Sequence, residues 1–125
     1  MADIETRQDI ELVVNEFYSK ILKDELIAFF FTDVANLDFE KHLPAMHDFW
    51  ESIIFGKSKY NGNPMIKHFA LNRKEEMKAI HFERWLKLWE ETLISHFSGP
   101  RTQEAISRAT NIANLMQYKM QNQAK

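Results

Sequence analysis

The stretch HLPAMHDFWESIIFGKSKYNGNPMIKHF, residues 42–69, decides how this chain is read. His42, Met46, Phe49 and Ile53 recur at i, i+4, i+7 and i+11, which places them on one helical face with His42 on its buried side. Asp38 is the N-cap expected just upstream, and Gly56 is the C-terminal stop. Pro44 cannot donate into a regular helix interior, so the helix either begins near Leu43 or is kinked in its first turns. After the turn KYNGNP, Asn63 caps a short helix with Pro64 at its first position. That helix carries Met65, His68 and Phe69 and ends near Leu71.

Outward from there, apolar residues keep the helical period. An N-terminal helix from about Asp9 to Lys23 carries Ile10, Val13, Val14, Phe17, Ile21 and Leu22 on its stripe, with Tyr18 at the edge. LIAFFF, residues 26–31, reads as a short buried connection or one helical turn. A long helix from about Met77 to Phe97 presents Phe82, Trp85, Leu86, Trp89, Leu93 and Phe97. After SGP, Thr102 is the expected cap of a last helix whose inner face is Ala105, Ile106, Ala109, Ile112, Ala113 and Met116. Those mostly small residues permit close helix packing or leave room for something else. Only three Gly and three Pro occur, and no segment alternates with a period of two. The chain is therefore all-α, one domain over residues 1–125.

Composition narrows the function. Hydrophobic residues make up 45% and charged residues 27%, as in a folded soluble domain. Ten Phe and three Trp fill a core or wall a flat apolar ligand. The absence of cysteine excludes a disulfide framework, a thiolate metal site and a Cys nucleophile, and it fits a reducing cytoplasm. LIAFFF is far too short to span a bilayer, and MADIETRQD lacks the features of a secretion signal. A net charge of −2 gives no footprint for nucleic acid. Charge is nevertheless uneven: residues 1–56 hold twelve acids and four bases, residues 57–125 six acids and twelve bases. Either this is surface decoration, or Lys57, Lys59, Lys67 and Arg73 rim a site for an anionic group.

The histidines carry the chemistry. His47 lies five positions from His42, roughly 140° around a helix, so the two cannot chelate one ion together. The two-histidine spacing HxxxH and the HExxH motif are both absent. His47 and Glu51 form a lone HxxxE; a di-iron carboxylate bundle needs partner elements that this chain lacks. His47, His81 and His96 read as surface or helix-end histidines. A single imidazole such as His68 suffices when a porphyrin supplies four further nitrogens, provided an apolar, aromatic-walled slot surrounds it. Composition and spacing permit that at His68, and equally permit a hydrogen-bonded structural histidine.

The order of FYSK (17–20), HLPAMHDFW (42–50), YNGNPMIKH (60–68) and HFERWLKLW (81–89) resembles the truncated haemoglobins of group III over nearly the whole chain. The YxGNPMxxH element is the most specific of the four. The resemblance implies a two-over-two helical sandwich around haem b, with His68 as the proximal iron ligand. It implies Tyr18 and Trp85 as hydrogen-bond donors on the distal side. His42 then sits near the pocket mouth, where it donates to the ligand, gates entry, or becomes a sixth iron ligand. Met46 would face the porphyrin, with Phe49, Trp50, Ile53 and Phe69 as apolar wall. Two positions depart from the family pattern: His47 stands where an aromatic is common, and Trp89 where Phe is common.

A haem protein of this kind binds O2, NO and CO. Two charge-assisted donors contribute about 1.5–3 kcal/mol each, enough to slow O2 release by roughly two to four orders of magnitude. The expectation is therefore tight O2 binding with slow release, suited to nitric-oxide dioxygenase or peroxidase-like chemistry rather than bulk oxygen transport. No flavin or nicotinamide motif is present, so turnover would draw electrons from a separate reductase. The alternative is a haem-free helical interaction module whose histidines and aromatics are core and surface. An intense Soret band belongs only to the first reading.

Overall fold

The computed structural model describes residues 1–34, 38–56 and 78–123. Every regular element among them is helical: α1 (Arg7–Lys23), a π-helical turn (Phe30–Val34), α2 (Phe39–Phe55), α3 (Ala79–His96) and α4 (Pro100–Gln123). Helix α1 packs on α2 and on α3, α3 on α4, and α2 on α4, which gives two helix pairs laid over one another. No helix among the described residues is long and apolar enough to cross a membrane. The expected short helix from Asn63, with Met65 and Lys67, and the Lys57, Lys59 and Arg73 rim lie outside the described residues.

Local sequence accounts for most boundaries. Helix α1 begins two residues before the expected Asp9, because Thr6 and Asp9 form a capping box: the Thr6 hydroxyl accepts the Asp9 N–H, and the Asp9 carboxylate accepts the Thr6 N–H. At its other end Asp24 accepts the N–H groups of Leu26 and Ile27 and, at 2.6 Å, the Nε–H of Arg84 on α3. That fixes the LIAFFF connection so that Ile27, Phe30 and Phe31 are buried while Leu26 and Phe29 remain exposed. Asp38 caps α2 and Gly56 ends it at φ 70°, both as expected. Helix α2 starts at Phe39 rather than near Leu43, with Pro44 inside it. The proline ring deprives the Glu40 carbonyl of its helical donor, a loss tolerated close to the helix start.

The expectation for Thr102 is wrong. Helix α4 begins at Pro100, and Thr102 lies inside its first turn, fully buried. The cap is Asp3, remote in sequence: its carboxylate accepts the N–H groups of Arg101 (2.8 Å) and Thr102 (2.9 Å) and the Thr102 hydroxyl (2.7 Å). The N-terminal strap is held further by Ser98 N–H donating to the Ala2 carbonyl and by Ile4, buried in the core. Gly99 is required here, since a Cβ would stand 2.6 Å from the Asp3 carboxyl carbon.

The centre of the fold is aromatic. Trp89 on α3 stacks on Trp50 of α2 (centroids 4.5 Å, 27°) and meets Phe17 of α1 edge-on at 5.0 Å. Its indole N–H donates to the Ala105 carbonyl of α4 at 3.1 Å. Ala105, Ala109 and Ala113 are fully buried, so the small face of α4 serves close packing along those positions. At the α1–α2 junction, Arg7 bonds Asp48 (2.7 Å) and the buried Glu51 (3.1 Å), so the Glu51 of the HxxxE pair is a structural carboxylate.

Truncation of Trp89 to Ala should destabilise the domain by about 3–5 kcal/mol, and Trp89→Phe by about 1–2 kcal/mol through the lost hydrogen bond and smaller ring, read by chemical denaturation. Asp3 gives a pH-dependent signature. Partial burial raises its carboxyl, but hydrogen bonds from Thr102, Arg101 and Ile4 outweigh this and hold it below the ordinary 3.8. A depressed folded-state value means its contribution is complete above about pH 4 and is lost as pH falls through the lower folded value. Asp3→Asn keeps one accepting oxygen but loses the charge, so it should lower stability near neutrality by no more than about 0.5–1 kcal/mol, and it should converge with the parent protein in acid.

Candidate functional site

Tyr18, near the C-terminal end of α1, and His42, in the first turns of α2, face one another across the α1–α2 junction. The Tyr18 hydroxyl and His42 Nε2 are 2.9 Å apart, and both side chains are buried. Their rings stand perpendicular, 5.1 Å between centroids. Phe39 packs edge-on against both, and Phe31 of the π-helical turn packs on Tyr18 from the other side. Asp38 places His42 by capping α2, and the His42 N–H donates to its carbonyl at 2.8 Å.

Below this pair lies a hollow of about 30 Å³. Tyr18, Met46, Phe49, Trp50 and Trp85 line it, which brings five of the residues singled out in the sequence to one place. Phe17, Ile112 and Met116 complete the wall. Phe49 and Ile53 also line a neighbouring open groove between α2 and α4. His68 and Phe69 lie outside the described residues.

Several members of the hollow escaped the sequence reading. On the sequence Phe17 lies on the core stripe of α1 and its neighbour Tyr18 at the edge; the structure uses both. Ile112 and Met116, with Ile106, are the large residues on a face otherwise built of alanine, which is the available signal. Phe31 and Phe39 gave none, because their contact with Tyr18 depends on how the connection between α1 and α2 runs.

Each of the four described histidines engages another group. Besides His42, His47 Nε2 lies 2.8 Å from Asn15 Oδ1, His81 Nδ1 accepts the Lys78 N–H at 2.8 Å, and His96 pairs with Glu16. Burial lowers the His47 and His81 imidazoles below their ordinary value, with nearby Glu11 and Asp48 opposing this at His47 and Lys78 reinforcing it at His81. No group of three metal-ligating side chains occurs among the described residues. The aromatic hollow, with a hydrogen-bonding pair at its edge, has the lining that suits one face of a flat apolar group.

Comparison with known proteins resolves the family. Residues 3–122 match the family described as bacterial-like globin. The chain belongs to that family. This globin is 28% identical over 114 residues to the group 3 truncated hemoglobin ctb of Campylobacter jejuni, covering 89% of this chain and 87% of that one. It is 33% identical over 105 residues to the group 1 truncated hemoglobin GlbN of Nostoc commune, covering 82% and 83%. The crystal structure of the group III truncated hemoglobin from Campylobacter jejuni superposes with a TM-score of 0.82 at 26% identity, covering 96% of this globin and 95% of its counterpart. The all-α, two-over-two architecture read from the sequence is thus the fold of this globin.

Proposed function

We propose that this globin holds haem b through His68 and binds O2, NO or CO beside Tyr18, His42 and Trp85. The observation that carries the reading is the buried Tyr18–His42 contact at 2.9 Å, set at the edge of an aromatic hollow. Haem supplies an iron with one coordination position open to a diatomic ligand. Met46, Phe49, Trp50 and Ile53 provide the apolar wall against which the macrocycle rests, with Phe69 as a further member. The engagement of the four described histidines with neighbouring groups supports His68 as the ligand to the iron.

The chain's own contribution is hydrogen bonding in a dry site. A phenol has one proton to give and two lone pairs to accept with. When His42 carries its proton on Nε2, the imidazole donates to the Tyr18 oxygen, and the phenol O–H turns to the guest. When the proton sits on Nδ1, the phenol donates to His42 instead and is withdrawn from the guest. His42 is therefore the residue that sets what Tyr18 does. The Trp85 indole N–H is a donor only, and it is the second group offered to the ligand. Two such donors favour tight O2 binding with slow release, and with it NO or peroxide redox chemistry supported by a separate reductase.

Purified protein, reconstituted with hemin if necessary, should show an intense Soret band; a protein that stays colourless overturns the reading. His68→Ala should abolish stable haem retention, measured as Soret absorbance per chain. Tyr18→Phe should keep the haem and raise the O2 dissociation rate about 10- to 100-fold, the loss of one charge-assisted hydrogen bond. Mixing O2-saturated protein with NO, with and without a reductant, distinguishes turnover to nitrate from a single stoichiometric event.

A further inference from the structure

Trp50 touches two different environments. Its side chain lines the distal hollow, and its ring lies on that of Trp89, 4.5 Å between centroids and 27° from parallel. Trp89 is deeper in the core, 2% exposed, and its indole N–H donates to the Ala105 carbonyl at 3.1 Å. The other indole at the hollow, Trp85, meets Phe17 edge-on at 5.8 Å. Two indoles face to face have a property that packing does not use. Indole gives up an electron more readily than the phenyl rings around it, and the face of a second indole is the best aromatic partner for the positive charge left behind.

We propose that the stacked Trp50–Trp89 pair is an electron donor to the site: when hydrogen peroxide is reduced there, the pair gives up one electron and holds the resulting charge. The proposal rests on the haem reading above. Reducing one hydrogen peroxide to two waters takes two electrons and two protons. One electron leaves the indole pair, the other is supplied by the bound haem, and the protons come from solvent. The pair is left as a radical cation, because the Ala105 carbonyl that accepts the Trp89 N–H is too weak a base to take the proton. An isolated positive charge in an apolar core is costly. Here the second ring stands well inside the roughly 6 Å over which an aromatic face attracts a cation, and the hydrogen bond to Ala105 becomes charge-assisted. Tyr18 is the rival donor. Oxidation of a phenol releases its proton, and the group positioned to accept it is His42 Nε2, 2.9 Å away. With a hydrogen already on Nε2 that path is closed, whereas the indole pair needs no proton transfer at all. The oxidising equivalent is thereby drawn off the Tyr18–His42 contact into the core, until the separate reductase returns an electron.

Haem-loaded protein mixed with hydrogen peroxide and rapidly frozen should give a protein-radical EPR signal that narrows when the tryptophans are ring-deuterated. Trp89→Phe and Trp50→Phe, with the Soret band of each confirming loading, should each cut that signal severalfold per haem. Peptide mass spectrometry of the parent protein should find oxidised side chains at Trp50 and Trp89 ahead of Trp85 and Tyr18. A radical on Tyr18 or Trp85 in the parent protein, or a signal unchanged in both variants, overturns the assignment and leaves the haem reading intact. Each variant keeps a ring in the layer; should one fail to fold the other decides, and should both fail the parent spectrum and peptide map decide. A second measurement does not depend on haem. A photoionising flash on the protein as purified should leave a tryptophan radical cation that lives severalfold longer than in either variant, and equal lifetimes overturn the pair as a holder of charge. A protein that stays colourless removes the haem reading and the donation to peroxide with it, while the flash lifetimes still report on the pair.

Discussion

Trp89 is where the four described helices meet. Sitting on α3, it stacks on α2, takes the edge of Phe17 from α1, and gives its N–H to a carbonyl of α4. A phenyl ring could supply the first two contacts but not the third. The indole thereby ties α4 to the aromatic centre at Ala105, and the alanines along that helix let the backbone approach closely enough for the bond to form. The hollow is walled by Trp50 and Trp85, whose rings are held by Trp89 and Phe17 respectively. Trp89 is thus the centre of the packing.

The same layer gives the distal pair its setting. Tyr18 follows Phe17, whose ring is held by Trp85 and Trp89, so the hydroxyl position is inherited from the core. His42 is placed independently, by the cap at Asp38. Two unrelated constraints therefore converge on one hydrogen bond. Neither partner is on a surface loop, which makes the geometry a property of the helix frame.

Features set by neighbours in the chain are legible in the sequence. Asp38 and Gly56 bound α2 because capping is decided within a turn. The Thr6–Asp9 box is equally local, and its spacing starts α1 at Arg7 rather than Asp9. Thr102 misled because its environment is set by Asp3, almost the whole chain away, so a local rule had no access to it. Periodicity placed His42 and Met46 on a buried face correctly, but it could not reveal that His42 meets Tyr18. The roles of Tyr18 and Trp85 came from resemblance to a family, since on spacing alone a helix-edge phenol and a core indole were the plainer descriptions. His68 and Phe69 stand on that resemblance still.

The Asp3 clamp has a consequence for the order in which the fold assembles. Asp3 and Ile4 are almost a hundred residues from the groups around Ser98 to Thr102 that receive them. Such a contact closes a long loop at a high entropic cost, so it forms late, after the local Thr6–Asp9 box has already started α1.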